Sequence, residues 1–211
     1  LTVAILIVLL LPSNATLHAS GPINPGHEEI QCQDCHRPAP GTFRQQIQAN
    51  VQYLLGRREN GVYIGHSLVS NENCLACHDR EKDRHPVFRF FEPKYKEARQ
   101  KIQPQHCVSC HPEHRGVRTT SELTFCRHCH GTLQMKNDPI SISHKQLVKK
   151  KRWKTCLGCH DFHGNHRMKL KTKVSEVISP KVLLEYFNEG SSPYSKIKIV
   201  SAKKKLQESD N

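Results

Sequence analysis

Cys156-Leu157-Gly158-Cys159-His160-Asp161-Phe162-His163 is the stretch on which the reading of this chain turns. Two cysteines separated by two residues are followed at once by a histidine. The arrangement recurs at Cys32-Gln33-Asp34-Cys35-His36, Cys74-Leu75-Ala76-Cys77-His78, Cys107-Val108-Ser109-Cys110-His111 and Cys126-Arg127-His128-Cys129-His130. These five pairs use every one of the 10 cysteines. Disulfides, zinc ribbons and thioredoxin-like pairs also use Cys-x-x-Cys, but none of them requires a histidine at the next position. With 15 histidines in 211 residues, five successes out of five by chance have odds of roughly two in a million.

Cys-x-x-Cys-His is the attachment signature of c-type haem. The two thiols add across the two vinyl groups of one porphyrin edge, so they must lie one short turn apart. The next residue then sits under the iron, where a neutral imidazole serves as the proximal ligand. The sequence therefore predicts five haem c groups. They are attached through Cys32 and Cys35, Cys74 and Cys77, Cys107 and Cys110, Cys126 and Cys129, and Cys156 and Cys159. The proximal iron ligands are His36, His78, His111, His130 and His160.

Five six-coordinate irons need five more axial ligands, and ten histidines lie outside the proximal positions. His18 falls in the apolar start and leaves with it if that segment is cut. His106 adjoins Cys107, and His128 lies inside its own motif, where the backbone is already committed to one haem. His27, His66 and His144 each precede a motif by a loop long enough to swing over a porphyrin plane. His114 and His163 each follow a proximal histidine by three residues. They start on the near side of their local haem and are better placed to reach the iron of a neighbour. The expected distal set is His27, His66, His114, His144 and His163, with His85 and His166 in reserve. Only two methionines are present, Met135 and Met168, so His/Met ligation could serve at most two haems. Because Met raises the reduction potential relative to His, mostly bis-histidine, low-potential irons are expected.

Apolar residues make up 36% of the chain and aromatics 6%, thin for a domain that buries a core of its own. Shared haem groups would fill the interior. The expected fold is mainly α with much irregular structure, a haem-packed core and little or no sheet. Ile47, Val51, Leu54 and Leu55 recur at helical spacing between Arg44 and Arg58, which predicts an amphipathic helix packing on the first haem. A second short helix is expected from Pro93 to Ile102. A third begins at Ser179-Pro180, with Ser as N-cap and Pro as first helical residue, and ends before Gly190. Val182, Leu183, Tyr186 and Phe187 form its apolar stripe, expected to clamp the haem domain.

Residues 1–19 hold an uncharged apolar run and then Pro12-Ser13-Asn14-Ala15, which reads as a secretory signal cut after Ala15 or Ala19. No basic segment or Met precedes the run, so a longer membrane anchor stays open as the alternative. Residues 20–170 form the pentahaem domain. Residues 171–211 form a basic tail with one helix, polar enough beyond Ser201 to be disordered.

The span from about Gly26 to His166 resembles the multihaem cytochromes c, the broad group that includes small cytochromes c3 and pentahaem electron donors. Cys107-Val-Ser-Cys110-His111-Pro-Glu-His114-Arg-Gly116 and Cys156-Leu-Gly-Cys159-His160-Asp-Phe-His163-Gly-Asn-His166 carry the likeness. The resemblance implies haem attachment on the outer side of the cytoplasmic membrane, which agrees with the apolar start. It also implies electron transfer in the periplasm or another exported location.

The polypeptide carries a formal charge of +13. Five haems would bring it to about +8 oxidised and about +3 reduced. Lys149 to Lys154 and Arg167 to Lys173 flank the last motif and form a basic rim. Such a rim suits redox protein donors and acceptors, acidic or membrane-bound ones included. Nucleic acid is not an expected partner of an exported chain. An electron relay is the leading expectation. A multihaem reductase of a small nitrogen or sulfur oxyanion, with one open iron, is the alternative, although the Cys-x-x-Cys-Lys variant often found in such enzymes is absent. Assembly into a membrane complex or a cell-surface filament is a third.

Overall fold

Short helices joined by turns make up the chain. Among the described residues, extended pairing is limited to two isolated antiparallel bridges, Pro38 with His66 and His166 with Lys198. The computed structural model describes residues 19–79 and 81–203, together with Thr2, Val3, Ile5, Val8, Leu11, Asn14 and Leu17. Most of the expected signal or anchor at 1–19, His18 with it, and the far tail at 204–211 lie outside the described residues. Among the described residues no helix is long and apolar enough to cross a membrane.

The chain forms two compact units, one of Leu1–Glu28 with Lys82–Ile199 and one of Glu29–Glu81 with Val200–Asn211. The segment up to Ile199 packs with the first unit.

The second unit holds α1 (Cys32–Cys35), α2 (Phe43–Leu54) and α3 (Asn71–His78). A capping box starts α2: the Thr42 hydroxyl accepts from the Gln45 amide, and the Gln45 side chain accepts from the Thr42 amide at 2.8 Å. The helix packs through its polar side. Gln46 is 5% exposed; its Nε2 donates to the Ala39 and Gly41 carbonyls at 3.1 and 3.0 Å, and its Oε1 accepts from the Gly65 amide at 2.9 Å. Asn50 adds a reciprocal pair with Val62 at 2.9 and 3.1 Å. Meanwhile Ile47, Val51, Leu54 and Leu55 are 41%, 46%, 81% and 60% exposed. The apolar stripe that period counting assigns to packing thus faces outward in the polypeptide, since burying two satisfied amides fixes the helix at little cost. Asn73 donates to the Cys35 carbonyl at 2.9 Å, tying α3 to the first motif.

The first unit contains α4 (Lys96–Ile102), α5 (Arg127–His130), α6 (His144–Lys149), α7 (Cys156–Cys159) and α8 (Pro180–Phe187). Single 3-10 turns stand between them, Pro93–Tyr95 leading directly into α4. Ser179 caps α8 by accepting from the Val182 amide, and Pro180 occupies its first turn. At the other end, Arg118 donates to the Tyr186 and Gly190 carbonyls at 3.0 and 2.7 Å. Leu183 and Phe187 join Leu123, Leu157 and Tyr194 in one buried cluster, which Phe125, Phe162, Met168 and Ile178 flank.

Gly158, inside the fifth motif, is where this cluster leaves no room. A Cβ there would lie 2.6 Å from the Ile178 carbonyl oxygen and 3.1 Å from the Val177 side chain. Gly158→Ala therefore forces α7 away from the segment before α8 and costs about 1–3 kcal/mol, to be read as a lower urea midpoint. An unchanged midpoint would mean that α7 and this segment do not pack so closely.

Candidate functional site

Each motif is wound into roughly one helical turn, which sets its two thiols and its histidine on one edge. The closing bond recurs: the amides of His36, His111, His130 and His160 donate to the carbonyls of Cys32, Cys107, Cys126 and Cys156 at 2.8–2.9 Å. All ten thiols are free of disulfides.

Four of the motif histidines face a second histidine across a gap of nearly constant width. Ring centres are 6.3 Å apart for His36 and His66, 6.1 Å for His130 and His85, 6.2 Å for His111 and His163, and 6.2 Å for His160 and His144. An imidazole nitrogen coordinates a metal at about 2.0–2.1 Å and lies about 1.1 Å from its ring centre, so two imidazoles on opposite faces of one iron have centres about 6.2 Å apart. The gap is therefore one iron wide in all four pairs. The first lies in the second unit and the other three in the first unit. The planes within the pairs are inclined at 81°, 86°, 32° and 39° respectively.

The far nitrogens of several of these rings are tied down. His163 Nδ1 bonds Asp83 at 3.0 Å, His144 Nδ1 bonds Asp138 at 3.0 Å, and His85 Nδ1 donates to the Phe162 carbonyl at 2.6 Å. His111 Nδ1 donates to the Arg118 carbonyl at 2.5 Å. An anchored Nδ1 fixes the tautomer and leaves Nε2 as the lone-pair donor, the arrangement that metal-bound histidines adopt. Asp83 serves twice, since it also accepts from the His85 amide at 2.9 Å. Desolvation holds the His85 and His160 imidazoles below their ordinary pKa and thus in the neutral form that a metal requires.

The other candidates stand differently. His27 Nδ1 meets Glu113 at 2.5 Å and His114 Nδ1 meets the Gly21 carbonyl at 3.2 Å. His114 also has a left-handed backbone, φ 61°. His166 is held by Asp161 at 2.8 Å, with its ring 5.4 Å from that of Tyr194. His78 closes α3.

Sequence reasoning gave His85 only a reserve place, and the structure sets it opposite His130, stacked on Phe162 at 4.1 Å and 7°. Nor did it pick out the anchoring carboxylates Asp83, Asp138, Glu113 and Asp161. Asp83, two residues before His85, was the readable signal.

Among the described residues no group of three or more His, Cys, Asp or Glu side chains could hold a bare metal ion. Pairs are what a macrocyclic iron needs, because the porphyrin supplies the other four donors. The described histidines and motif thiols fit that group. Comparison with family models, curated proteins and solved structures finds no match for this chain.

Proposed function

We propose that the chain carries five haem c groups and relays electrons between redox partners outside the cytoplasm. One observation carries the reading: four histidines that end a Cys-x-x-Cys-His motif each face another histidine across a gap one iron wide. Bound haem supplies one-electron chemistry at an iron cycling between ferric and ferrous states.

The chain's residues would hold that group in three ways. The motif thiols attach it at one edge, the paired Nε2 atoms saturate the iron, and Asp83, Asp138 and the Phe162 carbonyl aim the distal rings. His66, His144, His163 and His85 are the distal ligands of this proposal at motifs one, five, three and four. His27 and His114 stay in the expected distal set, and His78 would be the proximal ligand at motif two. One pair joins distant motifs within the first unit, since His163 follows motif five and faces His111 of motif three. Haem spacing is then locked by ligation as well as by packing. The exposed stripe Ile47, Val51 and Leu54 of α2 supplies apolar surface for the haem held between His36 and His66. At the four paired sites a saturated iron would leave no position for a substrate, which supports a relay.

The test is haem content. The exported protein, denatured in alkaline pyridine and reduced, should show the spectrum of five c-type haems per chain, resistant to acid-acetone extraction. Haem that extracts, or none, would overturn the proposal.

A further inference from the structure

Two segments of the first unit clasp each other. Asp83-Arg84-His85 runs beside Phe162-His163, and the bonds between them are reciprocal. His85 Nδ1 donates to the Phe162 carbonyl at 2.6 Å, the Arg84 amide donates to the His163 carbonyl at 3.3 Å, and His163 Nδ1 donates to Asp83 at 3.0 Å. One clasp thus holds the rings that face His130 and His111, but the two rings end on unlike acceptors. His163 rests on a carboxylate and His85 on a neutral carbonyl. The bond that Asp83 makes to His85 is to its backbone amide, at 2.9 Å. Asp138 repeats the carboxylate arrangement for His144, at 3.0 Å. The Asp83 and Asp138 side chains are only 14% and 12% exposed, so salt and water screen their charges little.

A carboxylate draws the Nδ1 proton more strongly than a carbonyl does, because the bond is charge-assisted. The ring becomes a more basic donor at Nε2, which favours the ferric over the ferrous state of an iron bound there. We propose, resting on the haem reading above, that Asp83 and Asp138 set the order of potentials among the paired sites. Sites three and five, with carboxylate-bonded His163 and His144, are the low-potential ones, and site four, with carbonyl-bonded His85, stands above them. One electron is then drawn from ferrous site three to ferric site four, which oxidises the first and reduces the second, and both Nδ1 protons stay in place. The clasp gives the relay a direction as well as a spacing.

The full-length holoproteins Asp83→Asn and Asp138→Asn would be titrated against potential with detection by electron paramagnetic resonance. Asparagine keeps an acceptor oxygen and removes the charge. The pairs inclined at 32° and 39° give rhombic low-spin signals, and the crossed pairs, at 81° and 86°, give strongly anisotropic ones. Each variant should raise the midpoint of one rhombic signal by about 59 mV, a tenfold change in its ferric-to-ferrous ratio, and should move the strongly anisotropic signals less. Unmoved midpoints, or a shift shared equally by all signals, would overturn the proposal. Asp138→Asn carries the same comparison alone if Asp83→Asn fails to fold. Haem is counted on the same samples: five haems with unmoved midpoints refute the ordering and leave the haem reading standing, whereas missing haem in the unmodified protein refutes that reading.

Discussion

On the haem proposal, the His85→Ala variant is expected to keep all five haems but to turn one of them high-spin when oxidised and open to carbon monoxide when reduced. Covalent attachment depends on the motif cysteines, which this substitution leaves in place, so only the sixth ligand of one iron is lost. His85 is well fixed for that part: its ring lies 4.1 Å over Phe162, its Nδ1 is spent on the Phe162 carbonyl, and its centre is 6.1 Å from that of His130. Alanine cannot reach the vacated position, and water or carbon monoxide can. His166→Ala serves as the control, because that ring stands against Tyr194 and Asp161, and all irons should stay low-spin. Low-spin spectra without carbon monoxide binding in His85→Ala would remove His85 from the ligand set.

Leu183→Ala is expected to destabilise the protein by about 2–5 kcal/mol, a large part of the roughly 5–15 kcal/mol that holds a domain together. Leu183 is completely buried, and its neighbours Leu123, Leu157 and Tyr194 come from three separate segments of the chain. The apolar cluster is small, so little is at hand to collapse into the cavity. Urea unfolding should show a lower midpoint at an unchanged slope. A loss below about 0.5 kcal/mol, the size of an ordinary surface change, would mean that α8 is not part of the core.

The five Cys-x-x-Cys-His motifs are legible outright, because each is complete within five consecutive residues. So is α8, where Ser179-Pro180 and Gly190 mark both ends. The packing face of α2 is not, since Gln46 is buried by bonds to Ala39, Gly41 and Gly65, and no local period announces such partners. The histidines that face a motif histidine divide on the same ground. His144 lies near its own motif in the chain, and a loop-length argument finds it. His85 meets Phe162 from far along the chain, so loop length ranks it behind His27 and His114, and only packing places it.

Electron paramagnetic resonance of the oxidised protein, with carbon monoxide then added to the reduced form, tests saturation of the irons most directly. Crossed imidazole planes leave two iron d orbitals nearly degenerate and give strongly anisotropic low-spin signals, whereas near-parallel planes split them and give rhombic ones. The pairs His36/His66 and His85/His130, at 81° and 86°, should give the first kind, and His111/His163 and His144/His160, at 32° and 39°, the second. The account predicts low-spin signals of both kinds and no carbon monoxide shift. A high-spin ferric signal with carbon monoxide binding in the unmodified protein would contradict it and point to an iron kept open for substrate.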